Sequence, residues 1–273
     1  MAKIVTPAPF SRFTRAVDEL KFRVIANSVG EAGSGKSTFW LGAPSPAVWL
    51  TFDGGLEGIV ESYLREHPEK EIYVATYDLG LVPSEASEDD EPPQYTQEMA
   101  QELREKVIKD FNAAIRDGAR SVILDKESDF WRECSYAEFG DPKTGNPKDW
   151  GALKDVERRM VATARANRIN LGFIQGMKNE WVTQVNKKTG TKGITQSGRR
   201  VADGHDEIDF LMFHNLYHSR GARKDAQGNT EVFYTIRVGK SHERSIQEQE
   251  YENLTFSEMA QLMFPTSTEE DWV

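Results

Sequence analysis

An α/β fold, with a mainly parallel sheet covered by helices on both faces, is predicted by three features of the chain. Short apolar runs alternate with longer stretches of helical periodicity. Several of the runs end in a polar residue, and the carboxyl edge is where such a sheet binds its ligand. The first run leads into a glycine-rich turn that opens a helix. In order, residues 1–20 read as an arm and residues 22–26 as a first strand. A helix opens at 37–41, and Pro44-Ser45-Pro46 breaks the chain. Residues 47–52 read as a buried strand ending at Asp53-Gly54-Gly55, 56–65 as a helix and 72–76 as a third strand. The acidic, proline-bearing stretch 85–93 reads as a solvated loop. In 99–117, Met99, Leu103, Val107, Phe111 and Ile115 recur every four residues and predict a helix, with Gly118 as its C-cap. Residues 121–125 form a fourth strand, 141–147 a turn-rich loop, and 150–167 a helix with Leu153, Val156, Met160, Val161 and Ala164 inward. A fifth strand covers 170–175. A basic loop follows over 178–200, with later strands at 210–214 and 232–238 and a hairpin turn at Gly228-Asn229. The core therefore spans 21–245, and residues 246–273 supply a C-terminal helix and tail.

The glycine-rich turn carries the chemistry. Gly30-Glu31-Ala32-Gly33-Ser34-Gly35-Lys36-Ser37 fits G-x-x-x-x-G-K-[ST], the P-loop, and Thr38 follows it. The glycines let successive backbone N–H groups point at one anion, and the helix adds the positive end of its dipole. Lys36 is expected on the β- and γ-phosphates, and the Ser37 hydroxyl on Mg²⁺. Asp125 ends an apolar strand, as a Walker B carboxylate that orders Mg²⁺ does. Lys126 follows it without an evident reason in the sequence. Hydrolysis also needs a carboxylate to activate water. Asp53 is the preferred candidate, with Glu127 and Glu57 as alternatives; Gln175 is a candidate sensor of the γ-phosphate or the attacking water.

Charge narrows the partners. With 34 Lys and Arg against 44 Asp and Glu, the net charge of -10 argues against a surface basic all over, but not against one basic loop. Lys178, Lys187, Lys188, Lys192, Arg199 and Arg200 gather in such a segment, together with glycines and Trp181. Cations and an aromatic on a flexible segment suit single-stranded nucleic acid. Lys240, His242 and Arg244 form a second cluster, with no obvious partner within the chain and suited to reach a neighbouring subunit. His205, His214 and His218 lie near Asp203, Asp206 and Asp209, but their spacing matches no metal motif. Residues 1–5 show no secretory h-region, no run reaches the ~18 apolar residues of a membrane span, and the single Cys134 points to the cytoplasm.

The order of these parts resembles the RecA-like ATPase core, and within it the small phage-encoded RecA-type ATPases that accompany single-strand annealing recombination. The resemblance covers roughly residues 20 to 245. It implies ATP and Mg²⁺ as cofactors and places the catalytic carboxylate on Asp53, where the family usually has Glu. It makes 122–125 the Walker B strand and Gln175 the γ-phosphate sensor, opens the DNA-binding loop at Lys178, and gives Lys240 a role in the neighbour's ATP site. The function so implied is an ATPase of phage DNA recombination or replication in the host cytoplasm. It would act as a ring or filament on single-stranded DNA beside an annealing or single-strand binding protein. A P-loop kinase with the 187–200 segment as lid, and a nucleotide-switched scaffold with little turnover, are the competing readings.

Overall fold

A strand flanked by helices on both faces must be apolar or satisfied throughout. In the computed structural model, which describes residues 22–52, 54–79, 95–140, 150–185, 192–205 and 207–272, β1 (Ile25–Gly30) is buried at all six positions. Around it stand α1 (Lys36–Leu41), β2 (Ala47–Thr51), α2 (Ile59–Glu66), β3 (Ile72–Thr76), α3 (Gln97–Arg116), β4 (Ser121–Asp125), α4 (Glu127–Phe139), α5 (Trp150–Asn167) and β5 (Asn170–Gln175). The later elements are β6 (Met177–Val185), β7 (Lys192–Ala202), α6 (Ile208–Leu211), β8 (His214–Lys224), β9 (Thr230–Lys240), β10 (Glu250–Glu252) and α7 (Phe256–Met263). The main sheet has eight strands in the order β10-β9-β8-β1-β5-β4-β2-β3. From β8 to β3 every pairing is parallel; β9 and β10 join antiparallel. The predicted α/β class, with its mainly parallel sheet, is therefore the observed one. Among the described residues no helix is long and apolar enough to cross a membrane.

Side chains alternate across the sheet and build a core on each face. On one face Ile25, Leu50, Val122, Leu124, Leu171 and Phe173 pack under α3, α4 and α5. On the other, Ala26, Trp49, Ile123, Ile174 and Leu216 pack under α1 and α7. Trp40 seats the phosphate-loop helix: a Cβ at Gly172 would lie 2.6 Å from its ring, so the glycine gives the indole its place on β5. The indole N–H donates to Ser28 Oγ at 2.9 Å. Removing that ring would cost about 3–5 kcal/mol.

The structure corrects the sequence reading in five places. The first strand begins at Ile25, not residue 22, and runs into the loop. The buried stripe of α3 is Ala100, Val107, Phe111 and Ala114, while Met99 is exposed, because the helix also packs against α4 and α5. Helix α4 has no counterpart in the expected elements; its buried face includes Glu127 and Glu133, and acids there mask the apolar period. The expected strand at 210–214 is the short α6, and β8 starts only at His214. The expected basic loop is a two-stranded antiparallel arm, β6 with β7. The stretches 85–93 and 141–147, the 1–20 arm and Asp206 lie outside the described residues.

Candidate functional site

The loop between β1 and α1 lies at the carboxyl edge of the sheet. Gly35 caps α1 with φ +88°, and a Cβ there would come within 2.9 Å of Tyr234 Cδ1. Both conditions select glycine. The Lys36 ammonium lies over the loop and donates to the carbonyls of Gly30 at 2.7 Å and Glu31 at 2.8 Å. Burial lowers its pKa, while Asp125 and Glu31 pull the other way. The Ser37 hydroxyl faces the Asp125 carboxylate at 3.4 Å, which brings the two expected metal ligands together. Gly30, Ala32, Gly33, Ser34, Thr38 and Gln175 line the same pocket of about 440 Å³. Of the remaining loop residues, Glu31 turns outward to Arg200 at 3.0 Å.

Lys126 now has a structural reason of its own. It adopts φ +63° and turns the chain from β4 into α4, and it lines the pocket. A left-handed conformation outside glycine costs roughly 1–2 kcal/mol and concentrates at functional sites. Asp53 lies outside the described residues; Gly55, two positions on, lines the pocket. Glu57 is exposed and does not line it. Glu127 is fully buried and does not line the pocket itself; it lies behind Gln175, which does. A second buried carboxyl, Glu157, lies beside it. Burial first, and Glu157 second, push Glu127 well above the usual carboxylate range; burial raises Glu157 to about 7. Glu157 in turn holds His205 Nδ1 at 2.6 Å, and the imidazole stacks on Trp131. Gln175 accepts from Asn27 Nδ2 at 2.7 Å and donates to Glu127.

A second cavity of about 320 Å³ adjoins the first at Ser34, Gly35, Thr38 and Tyr234. Tyr63, His67, Phe39, His218 and Asn253 help to line it. No local signal marks Tyr234 or Asn253, because β9 and the turn after β10 reach the loop only through the sheet. Glu157 did carry a signal: it is the one acid on the otherwise apolar inner face of α5.

The two cation clusters differ from expectation. Lys178 pairs with Asp203 at 3.2 Å and Arg200 with Glu31, both at the root of the arm. Arg199 is exposed, Lys192 opens β7, and Lys187 and Lys188 lie outside the described residues. Lys240 does have partners in its own chain, contrary to the sequence reading: its ammonium donates to the carbonyls of Asp209 and Met212 at 2.7 Å each, closing α6. His242 stacks on Phe213. Among the described residues no group of three or more His, Cys, Asp or Glu is placed to hold a metal ion.

No protein-family model matches the chain, and no curated protein does. Among solved structures it is similar to a KaiC-like protein from the hyperthermophilic archaeon Pyrococcus horikoshii OT3. That match has 11% identity and a TM-score of 0.43, over 85% of this chain and 86% of the other. The assembled ATPase EscN of the enteropathogenic E. coli type III secretion system matches at 12% and 0.40, over 72% of this chain and 43% of its own. The Legionella pneumophila ATPase DotB matches at 10% and 0.30, over 84% of this chain and 50% of its own. This chain thus spans half or less of the length of the latter two.

Proposed function

We propose that this chain is a Mg²⁺-dependent ATPase built on a RecA-like core. The observation that carries the reading is the Ser37 hydroxyl facing the Asp125 carboxylate inside the pocket lined by the phosphate loop. Hard oxygen donors, one of them a single carboxylate, suit Mg²⁺, which keeps its other positions for water and phosphate. Bound there, the ion would neutralise charge on the transferring phosphate. Lys36 supplies the second cation, released from its loop carbonyls onto the phosphates. Asp53 is the carboxylate assigned to the attacking water. The second cavity supports a purine nucleotide: aromatic side chains offer stacking surfaces, and Asn253 an amide.

The finer reading is an oligomeric ATPase of DNA recombination or replication that works on single-stranded DNA. Its support is the β6–β7 arm. Trp181 and Ile194 are 60% and 75% exposed on one face of that ribbon, and Arg199 of β7 is exposed too. An exposed aromatic among cations suits base stacking along a phosphate backbone. One experiment tests both levels: ATP hydrolysis by the purified chain, with and without single-stranded DNA, alongside sedimentation. Hydrolysis stimulated by DNA in an assembled species is the expected result. Phosphate transfer to a small acceptor would favour a kinase, and tight ATP binding without turnover a nucleotide-switched scaffold.

A further inference from the structure

The arm is fastened to the core at a point that also borders the phosphate pocket. Strand β6 starts at Met177, just past Gln175 and Gly176, and both of these line the pocket. Strand β7 ends at Ala202 and leads to His205. A single carboxyl group holds both roots. Glu127 accepts from the Gln175 side-chain amide through one oxygen, and from the His205 backbone N–H at 3.3 Å through the other. A backbone bond from Asp203 to the Gly176 carbonyl, 2.9 Å, closes the base of the ribbon.

The surroundings leave that carboxyl little room to do anything else. It is completely buried, and its partner Glu157 is tied to His205 Nδ1, whose ring lies 4.3 Å over Trp131 and parallel to it. Gly204 has φ +109°, and a Cβ there would overlap both the Glu127 carboxyl and the Gln175 amide. The root of β7 is thus packed directly onto the Glu127–Gln175 pair. A group with both oxygens committed, and itself absent from the pocket lining, is poorly placed to activate water.

We propose that Glu127 is a positioning residue that joins the phosphate pocket to the β6–β7 arm. It makes Gln175 and the two arm roots one rigid unit, so a displacement of Gln175 by the terminal phosphate of a nucleotide is carried into the arm. The inference rests on the nucleotide reading above. It also reassigns a carboxylate that the sequence offered as a candidate for catalysis. Because coupling is reciprocal, what the arm binds will bias the nucleotide site through the same group.

The test uses Trp181, which is exposed while Trp40, Trp49, Trp131 and Trp272 are buried. Iodide quenching of tryptophan emission is measured on the full chain, with and without Mg²⁺ and the β,γ-imido analogue of ATP. A Trp181→Phe chain identifies the arm's share of the signal. In the wild type the analogue should change the quenching of Trp181. In Glu127→Gln, which keeps the side-chain volume, analogue affinity by calorimetry should be retained and the Trp181 response abolished. Glu157→Gln, which loosens the same group from behind, should weaken the response and serves if the first variant does not fold. A wild type that binds the analogue without any Trp181 response overturns the coupling and leaves the nucleotide reading standing. A full response in the folded Glu127 variant, or a response intact beside collapsed hydrolysis, overturns it too. A wild type that fails to bind the analogue overturns the nucleotide reading instead.

Discussion

The phosphate loop and the β6–β7 arm follow one another along the same sheet edge, yet they are built on opposite terms. Strand β1 is buried at every position, its loop lysine is already hydrogen-bonded, and Trp40 fixes the helix that follows. The arm is a separate two-stranded sheet with an exposed aromatic and an exposed aliphatic, and a shift of register between Asn179 and Trp181. An isolated two-stranded ribbon has little stability of its own. Rigidity is thus placed according to the ligand each region suits. The glycine-rich loop is fixed by the buried strand before it and the anchored helix after it. The arm pairs only with itself and meets the core at its root.

The largest effect should come from the rigid side. Lys36→Ala removes the cation that offsets the triphosphate, and ATP binding should fall beyond detection by calorimetry with Mg²⁺ present. Near-normal affinity in that variant would erase the distinction, because the cradle would then not be a phosphate site. Next is Asp53→Asn, expected to slow hydrolysis by about 10²-fold or more while binding persists. Single-turnover rates decide it, and a normal rate would move the water-activating role to another group.

The rigid side also has a pH signature. Ser28 Oγ receives the Trp40 N–H at 2.9 Å and keeps its own proton, which it can donate to an unprotonated His218 Nε2 at 3.0 Å. That bond needs a neutral ring, and burial followed by Lys36 depresses its pKa to about 3. The unfolded chain protonates this histidine near 6.5, so its share of stability is complete above that pH and drains away as pH falls. At pH 5 the loss is about 2 kcal/mol. Glu127 and Glu157, whose pKa values are raised, act in the opposite sense. The measurement is therefore a difference: His218→Gln should flatten the acid limb of the denaturation midpoint against the wild type. An unchanged slope would show that the ring is not held neutral.

The arm should give the smallest effect and the one most dependent on conditions. Trp181→Ala should weaken single-stranded DNA binding about tenfold, within the range for one stacked base. Replacing Lys187, Lys188 and Lys192 by Ala should flatten the salt dependence, by a log–log slope of about 0.7 for each phosphate no longer neutralised. Fluorescence anisotropy at several salt concentrations reads both. A wild type without DNA affinity at low salt would make the arm an element for some other partner.

Much of the fold was legible because its signals are local. The strands at 47–51, 72–76, 121–125 and 170–175, and the helix at 150–167, stand where apolar runs and periodicity put them. Where a neighbour imposed the burial, the signal failed. Helix α4 buries Glu127 and Glu133 and so hid its period, and the short α6 was read as strand.

For the site, the phosphate loop could be read from the chain alone, since Gly30 to Ser37 are contiguous and each residue type answers a local need of backbone or phosphate. The ends of the apolar runs likewise put Asp125 and Gln175 together, because a parallel sheet brings its carboxyl ends to one edge. Folding in three dimensions was needed to make Glu127 a buried clamp, to close α6 with Lys240, to turn the basic segment into a ribbon, and to stand Tyr234 between two cavities. What divides the two sets is separation along the chain. A hydrogen bond between Glu127 and His205, 78 residues apart, leaves no period or motif in the sequence. It exists because β4 and β5 pair side by side, so that the start of α4 and the root of the arm meet at one edge of the sheet.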